Sequence, residues 1–399
     1  MNFDFSPIQV ELQNGLTKYF SKNYGFDKRQ EFARESAGFS EHAWKHYAEI
    51  GLLALSFPES YGGLNEIDES TESGKQTLAA NNAVDAMWIL EHFGAALCLE
   101  PYLSTVVMGG GTLLGSGSVA QKSTWIPKIA SGELRIAIAI EEPSSRYSCG
   151  HVQLSAKLSE KSSPSSRSWH LTGLKSAVLS ANSAQFILVS TRTSGNIADR
   201  NGISLFLVPV DAKGLKLTNY TTHDGGRASD IVFDQVSVTE EHLIGACDAG
   251  VEILEDMVGR ANAALCGEAV GIMSTLCELT LAYLKTRQQF GVPIGKFQAL
   301  QHRMADMIVA TEQAKSMAFL AAQAHADSDS KKRLRDISAA KAYICKSARQ
   351  VAQEAIQLHG GMGVTNELSV GHYFKRLTLI TQTFGDFNHH IGLVSDYLL

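Results

Sequence analysis

Arg287-Gln288-Gln289-Phe290-Gly291 is the first of two short stretches that decide the fold of this chain, and the second is Gln357-Leu358-His359-Gly360-Gly361-Met362-Gly363. Each stands at the end of a long amphipathic helical pattern and closes on glycine. An arginine at a helix C-terminus complements the helix dipole, and glycine is an ordinary cap there. The same groups also suit a phosphate-bearing ligand, because a guanidinium binds phosphate oxygens and glycine lets a nucleotide approach the backbone. Taken singly, each stretch leaves both interpretations open.

Composition excludes several classes of protein. The chain has 399 residues, 44% of them hydrophobic, and a net charge of −6, so it can bury a large core and has no electrostatic case for nucleic acid or an anionic membrane surface. The six cysteines form no CxxC pair and the histidines have no metal-ligand spacing, so we expect neither a disulfide framework nor a bound metal. No uninterrupted apolar run of about 18 residues predicts a membrane span, and the first five residues resemble no leader. These features together predict a cytoplasmic location.

The hydrophobic pattern changes period twice along the chain. A helical period over residues 6 to 130 gives way to a strand-like period at Leu134, and the helical period returns from about Val251. Short apolar runs separated by turn residues predict a small antiparallel β-barrel or sandwich between the helical parts. The predicted strands are Leu134–Ile140, Val152–Leu158, Trp169–Leu171, Phe186–Ser190, Ile203–Pro209 and Ile231–Val238. We therefore predict a mainly α fold with a helical N-terminal domain (1–133), a middle β-domain (134–245) and a C-terminal helical bundle (246–399).

The two opening stretches, in this order and with Ile294-Gly295 and Gln298 between them, resemble the adenine and pyrophosphate clamp of the acyl-CoA dehydrogenases. The resemblance covers nearly the whole chain. It implies a C-terminal four-helix bundle, a usually tetrameric assembly and FAD at a dimer interface, where one subunit's bundle grips the flavin nucleotide of its neighbour. The cofactor-binding residues that it implies are Arg287, Phe290, Gly291, Gln298, Gln357, Gly360 and Gly361.

The chemistry implied by the resemblance needs a carboxylate that this chain lacks at both usual positions. A base must remove the α-proton of the acyl thioester while the β-hydrogen leaves as hydride to the flavin. If Tyr373-Phe374-Lys375-Arg376 is aligned with the family's aromatic-x-Arg-Asp run, the usual glutamate falls at Phe384. The alternative base position, just before an arginine on the first bundle helix, falls at or near Gly259, with the arginine kept as Arg260. Neither phenylalanine nor glycine can take a proton.

Two further departures lie in the middle domain. The family's Thr-Glu-Pro-x-x-Gly-Ser-Asp loop reads Glu141-Glu142-Pro143-Ser144-Ser145-Arg146-Tyr147-Ser148 here, so large side chains replace small ones where backbone should approach flavin and substrate. The strand that normally carries a flavin-covering tryptophan reads Lys175-Ser176-Ala177-Val178-Leu179. The resemblance therefore implies a degenerate flavin and substrate site in this chain.

Asp386 is the one carboxylate near the missing base. It can serve as a base from a shifted loop, and it can equally be the N-cap of a helix that begins near Phe387. We favour the cap, because the run Gly385-Asp386-Phe387-Asn388 is typical of a helix start.

The pattern most resembles the base-lacking small subunit of heteromeric pimeloyl-CoA and steroid-type acyl-CoA dehydrogenases, through Gly371–Arg376 and Phe384-Gly385-Asp386. It implies an α2β2 complex with a second subunit that carries the base, an acyl-CoA substrate and an electron-transfer flavoprotein as acceptor. Two alternatives stay open. One is a self-sufficient flavoenzyme that uses Asp386 on acyl-CoA or, as in nitroalkane oxidases, on another carbon acid. The other is a flavin-free structural partner.

Overall fold

The computed structural model describes residues 7–67, 71–159 and 167–398. The first residues, from which we expect no leader sequence, lie outside these ranges. Helices and strands alternate in blocks along the chain. The helices are α1 Pro7–Asn23, α2 Phe26–Phe32, α3 Glu41–Glu49, α4 Glu72–Ala96, α5 Gly111–Ser116, α6 Val119–Ala130, α7 Gly250–Thr286, α8 Gln298–Ala324, α9 Ser330–His359, α10 Ser369–Ile380 and α11 Phe387–Leu398, with a π-helical segment at Leu103–Gly110. The strands are β1 Ile136–Ala139, β2 Ser155–Leu158, β3 Ser168–Leu179, β4 Phe186–Arg192, β5 Ile203–Pro209, β6 Leu215–Thr221, β7 Arg227–Thr239, β8 Leu243–Ile244, β9 Gln288–Gln289 and β10 Val292–Pro293.

The chain forms two compact units. The first unit comprises Met1–Arg34, Ala79–Leu99 and Asn262–Leu399, and it is built from helices apart from the short hairpin of β9 and β10. The second unit comprises Glu35–Leu78 and Glu100–Ala261, and it contains the main sheet with the helices that precede it. The predicted mainly α fold with a β-domain in the middle is confirmed.

The main sheet has eight strands in the described ranges, in the order β6-β7-β3-β2-β4-β5-β8, with β1 paired to β4. Most pairs are antiparallel, but β1 runs parallel to β4 and β2 meets β4 in parallel at one residue pair. The sheet is therefore mixed, and the expectation of a purely antiparallel barrel or sandwich is wrong in this respect. Alternate apolar residues such as Trp169, Leu171 and Phe206 pack into its core. The sequence pattern missed β6, because its residues are mostly polar and exposed.

Helix α7 is the one described helix long and apolar enough to cross a membrane. Of its most apolar stretch, 72% is buried within the structure. It also reaches 37 residues without a proline, as expected of the central helix of a bundle.

In the first unit, α7 packs on α4 with the two backbones in direct contact. A Cβ added at Gly267 would overlap the carbonyl oxygen of Met87, and one added at Gly271 would overlap that of Glu91. In return, a Cβ at Gly94 of α4 would overlap the carbonyl of Glu268. Glycine at these positions therefore sets the distance between the two helices.

We predict that Gly271→Ala destabilises the protein by about 1–3 kcal/mol, because the added methyl group would have to push α4 away from α7. The midpoint of chemical denaturation would measure this loss. Gly392→Ala in α11 is the matched control, because a Cβ there meets no atom within 4 Å and alanine favours a helix. Equal stability of the two variants would contradict the proposed backbone contact.

Candidate cofactor-binding site

The hairpin after α7 presents an exposed aromatic ring in a strained conformation. Strands β9 and β10 are joined by Phe290 and Gly291, which have φ values of 55° and 78°. Positive φ at both loop positions is typical of a type I′ turn, where Asn-Gly is the preferred pair. Phenylalanine in this region costs on the order of 1 kcal/mol or more, and its side chain here is 91% exposed. The conformation thus holds a large apolar ring at a fixed place in solvent.

Arg287 lies at the junction of α7 and this hairpin. Its backbone N–H donates to the Tyr283 carbonyl at 2.8 Å, and its own carbonyl accepts from the Ile294 N–H at 2.8 Å. The side chain is exposed, and in the part of the chain that the structure describes no carboxylate pairs with its guanidinium. The main chain of Arg287 is therefore fixed while its charged group stays available to a ligand.

The end of α9 leaves open space above two glycines. Gly360 has φ 60° and ψ −142°, a combination that only glycine adopts readily. Gly361 has no such backbone requirement. A Cβ at either position would meet nothing within 4 Å, so packing inside this chain does not demand glycine at Gly361. Gln357, one turn earlier, is also exposed.

The structure brings the two predicted halves of the clamp together. The rings of Tyr283 on α7 and His359 on α9 stack with centroids 4.4 Å apart and an angle of 29° between the planes. The ring of Phe290 meets Phe297 edge-on at 6.2 Å, which places Gln298, the exposed first residue of α8, beside the hairpin. The predicted cofactor residues therefore share one exposed region of the first unit.

The loop at the expected base position is held tightly. Phe384 has φ 55°, and its carbonyl accepts a hydrogen bond from Asn262 Nδ2 at 3.2 Å. Asp386 Oδ1 accepts from the His389 backbone N–H at 2.9 Å, which confirms that this residue is the N-cap of α11. A Cβ at Gly385 would overlap the His390 ring, so the turn requires glycine. One oxygen of Asp386 is thus engaged in the helix start.

A buried lysine, which the sequence pattern did not reveal, holds the segment that leads into the Phe384 loop by hydrogen bonds to its backbone. Lys341 of α9 is fully buried, and its Nζ donates to the carbonyls of Ile380 at 2.9 Å and Thr383 at 3.2 Å. Burial lowers the pKa of its ammonium group. A lysine at a position of α9 that otherwise packs alanine and isoleucine was the available signal. Lys341 satisfies carbonyls that the end of α10 leaves without helical partners.

The second unit contains a buried ion pair at the start of the loop 141–148, which differs from the expected family pattern. Lys175 Nζ lies 2.7 Å from Glu142 Oε1, with both side chains almost fully buried, and it also donates to Ser190 Oγ at 2.9 Å. Glu142 further accepts from the backbone N–H groups of Gln153 at 2.7 Å and Leu154 at 3.1 Å. Burial lowers the pKa of Lys175, and Glu142 opposes that shift.

The altered residues of this loop and of β3 use their polar groups internally. The Ser176 N–H donates to the Glu141 carbonyl at 3.0 Å, and the Ala177 N–H donates to Asp230 Oδ1 at 3.1 Å. Arg146 and Ala177 have φ values of 48° and 52°. Burial raises the pKa of the Glu141 carboxyl to about 7 although Lys175 opposes this. These backbone donors are therefore already satisfied within the chain.

The second expected base position also has no carboxyl group. Gly259 lies within α7, and the adjacent Arg260 pairs with Asp256 at 2.5 Å, one turn earlier on the same helix. The Arg260 Nη1 approaches the Val107 carbonyl at 3.4 Å. No group of three or more His, Cys, Asp or Glu residues suited to a metal ion occurs in the described ranges, and all six cysteines are free thiols.

Comparison with known proteins identifies the family. The profile "Acyl-CoA dehydrogenase, N-terminal domain" matches residues 9–133, and "Acyl-CoA dehydrogenase, C-terminal domain" matches residues 248–399. The chain belongs to the acyl-CoA dehydrogenase family. Among its relatives, the probable acyl-CoA dehydrogenase YngJ of Bacillus subtilis is 28% identical over 385 residues, 95% of each chain. The short-chain specific acyl-CoA dehydrogenase of Sus scrofa mitochondria is 27% identical over 343 residues, 84% of this chain and 77% of that protein.

Solved structures agree with this assignment. The Tcur3481–Tcur3483 steroid acyl-CoA dehydrogenase, solved as a variant, superposes with a TM-score of 0.83 at 25% identity, covering 98% of this chain and 97% of the other. Butyryl-CoA dehydrogenase from Megasphaera elsdenii superposes over 100% of both chains with a TM-score of 0.85 at 19% identity, which supports the fold alone. The predicted acyl-CoA dehydrogenase fold and the prediction of a flavoprotein oxidoreductase family with FAD as cofactor are thereby confirmed.

The Glu142–Lys175 pair generates a prediction about the stability of this protein. Lys175→Met should destabilise the protein by about 3–5 kcal/mol, because the Glu142 carboxylate would stay buried without its cation. The double variant Lys175→Met/Glu142→Gln should recover most of that loss, because it removes both charges together. Urea denaturation of the two variants would measure the difference. A single variant within about 1 kcal/mol of the parent would contradict a tightly coupled pair.

Proposed function

We propose that this chain is a subunit of a heteromeric FAD-dependent acyl-CoA dehydrogenase, which introduces an α,β double bond into an acyl-CoA thioester. In this proposal the chain supplies the nucleotide clamp for FAD, and a second subunit supplies the catalytic base. The observation that carries the proposal is the combination of an exposed, preorganised clamp with Phe384 at the expected base position. We also propose the three-domain division at 1–133, 134–245 and 246–399.

The clamp residues fit the nucleotide half of FAD. Arg287 offers a planar set of donors that suits a pyrophosphate, and the amides of Gln298 and Gln357 are exposed hydrogen-bonding groups. The open space above Gly361 has no explanation within the chain, and a ligand that touches the backbone would account for it. Phe290 is held in solvent, where a flat aromatic ligand or a neighbouring chain can cover it. Held by these residues, FAD would supply the acceptor for the hydride that leaves the β-carbon.

The two usual base positions and Asp386 do not fit the role of the general base. Phenylalanine at this position has no proton acceptor, and Gly259 has none at the alternative position. Asp386 is half-buried, and one of its oxygens caps α11. A base must be free to approach the α-carbon, whereas this carboxylate is engaged at a helix start. These observations support a non-catalytic role for the loop.

The second unit offers a poor site for the flavin ring. The backbone N–H groups of Ser176 and Ala177 are bonded to Glu141 and Asp230, so they are not free to donate to a flavin. Ala177 is exposed and lacks the large ring that would cover a cofactor, and Arg146 brings a long cationic chain to a position where the family pattern has glycine. This misfit supports the proposal that the partner subunit holds the flavin ring, while this chain contributes the nucleotide clamp.

The proposed partner is a second acyl-CoA dehydrogenase chain that carries the glutamate, in an α2β2 complex. The similarity to a two-component steroid acyl-CoA dehydrogenase at 25% identity supports this choice. An electron-transfer flavoprotein is the proposed electron acceptor, acyl-CoA the substrate and the cytoplasm the location. Co-expression with a candidate partner, with flavin counted per chain, tests the assembly: we expect about one FAD for every two chains of the complex.

A second candidate is a self-sufficient flavoenzyme with Asp386 as base. It is favoured by one observation, that the Asp386 cap uses only Oδ1. The chain purified alone distinguishes the candidates. A self-sufficient enzyme would be yellow and active, the proposed subunit would hold little or no flavin until its partner is added, and a flavin-free structural partner would gain no flavin under any condition.

We predict that Arg287→Ala weakens FAD binding by the assembled complex roughly ten- to a hundredfold, because a charged hydrogen bond to phosphate contributes about 1.5–3 kcal/mol. Flavin fluorescence during titration of the apo-complex would measure it. The control Arg349→Ala, which removes an exposed arginine of α9, should leave FAD affinity within about twofold of the parent. Unchanged affinity in Arg287→Ala would show that this arginine is only a helix-end charge.

We predict that Asp386→Asn leaves turnover of the complex within a few-fold and stability nearly unchanged, because asparagine is also a good N-cap. Loss of a true general base should instead lower the rate roughly 10²–10⁴-fold. Asp386→Ala is the companion variant: it should lower stability by about 0.5–2 kcal/mol through loss of the cap. Collapse of turnover in a folded, yellow Asp386→Asn complex would favour the self-sufficient enzyme.

A further inference from the structure

We propose that Tyr283 and His359 are positioning residues of the nucleotide clamp, and that the stack between their rings sets the distance between its two halves. This inference rests on the proposed function, because it concerns the same FAD-binding residues. Neither Tyr283 nor His359 is among the predicted cofactor-binding residues. Both lie next to such residues, because Tyr283 is one turn before Arg287 and His359 immediately precedes Gly360.

On the α7 side, the stack is connected to the guanidinium by the backbone. The Tyr283 carbonyl accepts a hydrogen bond from the Arg287 N–H at 2.8 Å, in the last turn before the hairpin. The Arg287 carbonyl in turn accepts from Ile294 on the far side of that hairpin at 2.8 Å. Any sideways movement of Tyr283 would therefore carry Arg287 and the base of the hairpin with it.

On the α9 side, the imidazole is fixed on several sides. His359 is only 4% exposed, and its Nδ1 lies 2.8 Å from the Ala355 carbonyl. A carbonyl oxygen can only accept a hydrogen bond, so Nδ1 carries a proton. Burial lowers the pKa of the imidazole, which favours its neutral form. The turn after α9 folds back on the same residue, because a Cβ at Gly363 would lie 3.1 Å from the His359 Cβ. The turn after α9 thus packs against His359 at Gly363.

The Arg287 and Gln357 side chains are both exposed, and within the described ranges no hydrogen bond joins one to the other. The contact between the Tyr283 and His359 rings, with centroids 4.4 Å apart, is therefore the link that we assign to their spacing. A binding site loses affinity when its groups shift by about half an ångström, so the link should act on FAD affinity as well as on packing.

The test compares variants that keep or remove the stacked rings in the assembled complex. Tyr283→Leu and His359→Leu should each weaken FAD binding roughly three- to tenfold, the range expected for loss of an aromatic pair. Tyr283→Phe and His359→Phe keep a ring and should stay within about twofold of the parent. The double variant Tyr283→Leu/His359→Leu should lose no more FAD affinity than the more affected of the two single variants, because the two residues act as one contact.

Phe93→Leu is the matched control for packing. Phe93 is a buried aromatic residue of the same unit, and it meets Phe20 edge-on at 5.8 Å on helices that carry no clamp residue. The Phe93→Leu variant should lower the melting temperature of the complex and leave its FAD affinity unchanged. If a leucine variant does not assemble, His359→Asn replaces it, because the amide can still donate to the Ala355 carbonyl while the ring is lost.

The outcomes separate this inference from the proposed function. If Arg287→Ala weakens FAD binding and the leucine variants only lower the melting temperature, the stack is ordinary packing and the inference is overturned. If Arg287→Ala has no effect either, the proposed clamp itself fails. Weaker FAD binding in the leucine variants, recovered in the phenylalanine variants, supports both.

Discussion

The contact between the backbones of α7 and α4 is the constraint on which the first unit depends. Gly267 and Gly271 let the backbone of α7 approach α4 closely. Other residues of α7 contact α10 and the loop that follows it. Its Asn262 then bonds the Phe384 carbonyl, and its buried Glu268 pairs with Arg376 of α10 at 2.5 Å. The single helix α7 thus contacts α4, α10 and the loop at the expected base position, and the predicted clamp residue Arg287 follows its last residue.

Strained backbone marks the places where this chain matches or departs from its family. Eight non-glycine residues in the described ranges have positive φ, and four of them are Arg146, Ala177, Phe290 and Phe384. Such conformations cost free energy and persist only where the surrounding structure imposes them. Phe290 is one of the predicted clamp residues, and the other three occupy positions at which we expect the family pattern to carry another residue type. The chain therefore combines unusual side chains with tightly specified backbone at these positions.

Charge is treated differently at the two kinds of site. Arg287, a predicted clamp residue, is exposed and has no carboxylate partner in the described part of the chain, so its charge is available to an anion at little cost in desolvation. Lys175 and Lys341 are instead fully buried, one paired with Glu142 and the other with backbone carbonyls. Burial of a charge is tolerated only with such partners, so these lysines stabilise loops and are not available for chemistry.

Features that depend on single positions or on local periodicity can be read from the amino-acid sequence alone. The order of helices, strands and helices follows from the hydrophobic period, and the family follows from two short motifs. The alignment that puts the family's glutamate position at Phe384 also uses the sequence alone, and it stays a prediction. The N-cap at Asp386 was predictable for the same reason, because a cap involves only neighbouring residues. The polar strand β6 was missed because it has no apolar period.

Only the tertiary structure decided which distant residues meet. The parallel pairing of β1 with β4, the Glu142–Lys175 pair, the support of the α10 end by Lys341 and the stack of Tyr283 on His359 all join residues far apart in the chain. Local patterns carry no information about such pairs, because each partner alone is compatible with many neighbours. Their geometry arises when whole helices and strands pack at fixed distances, and that packing is a property of the folded chain.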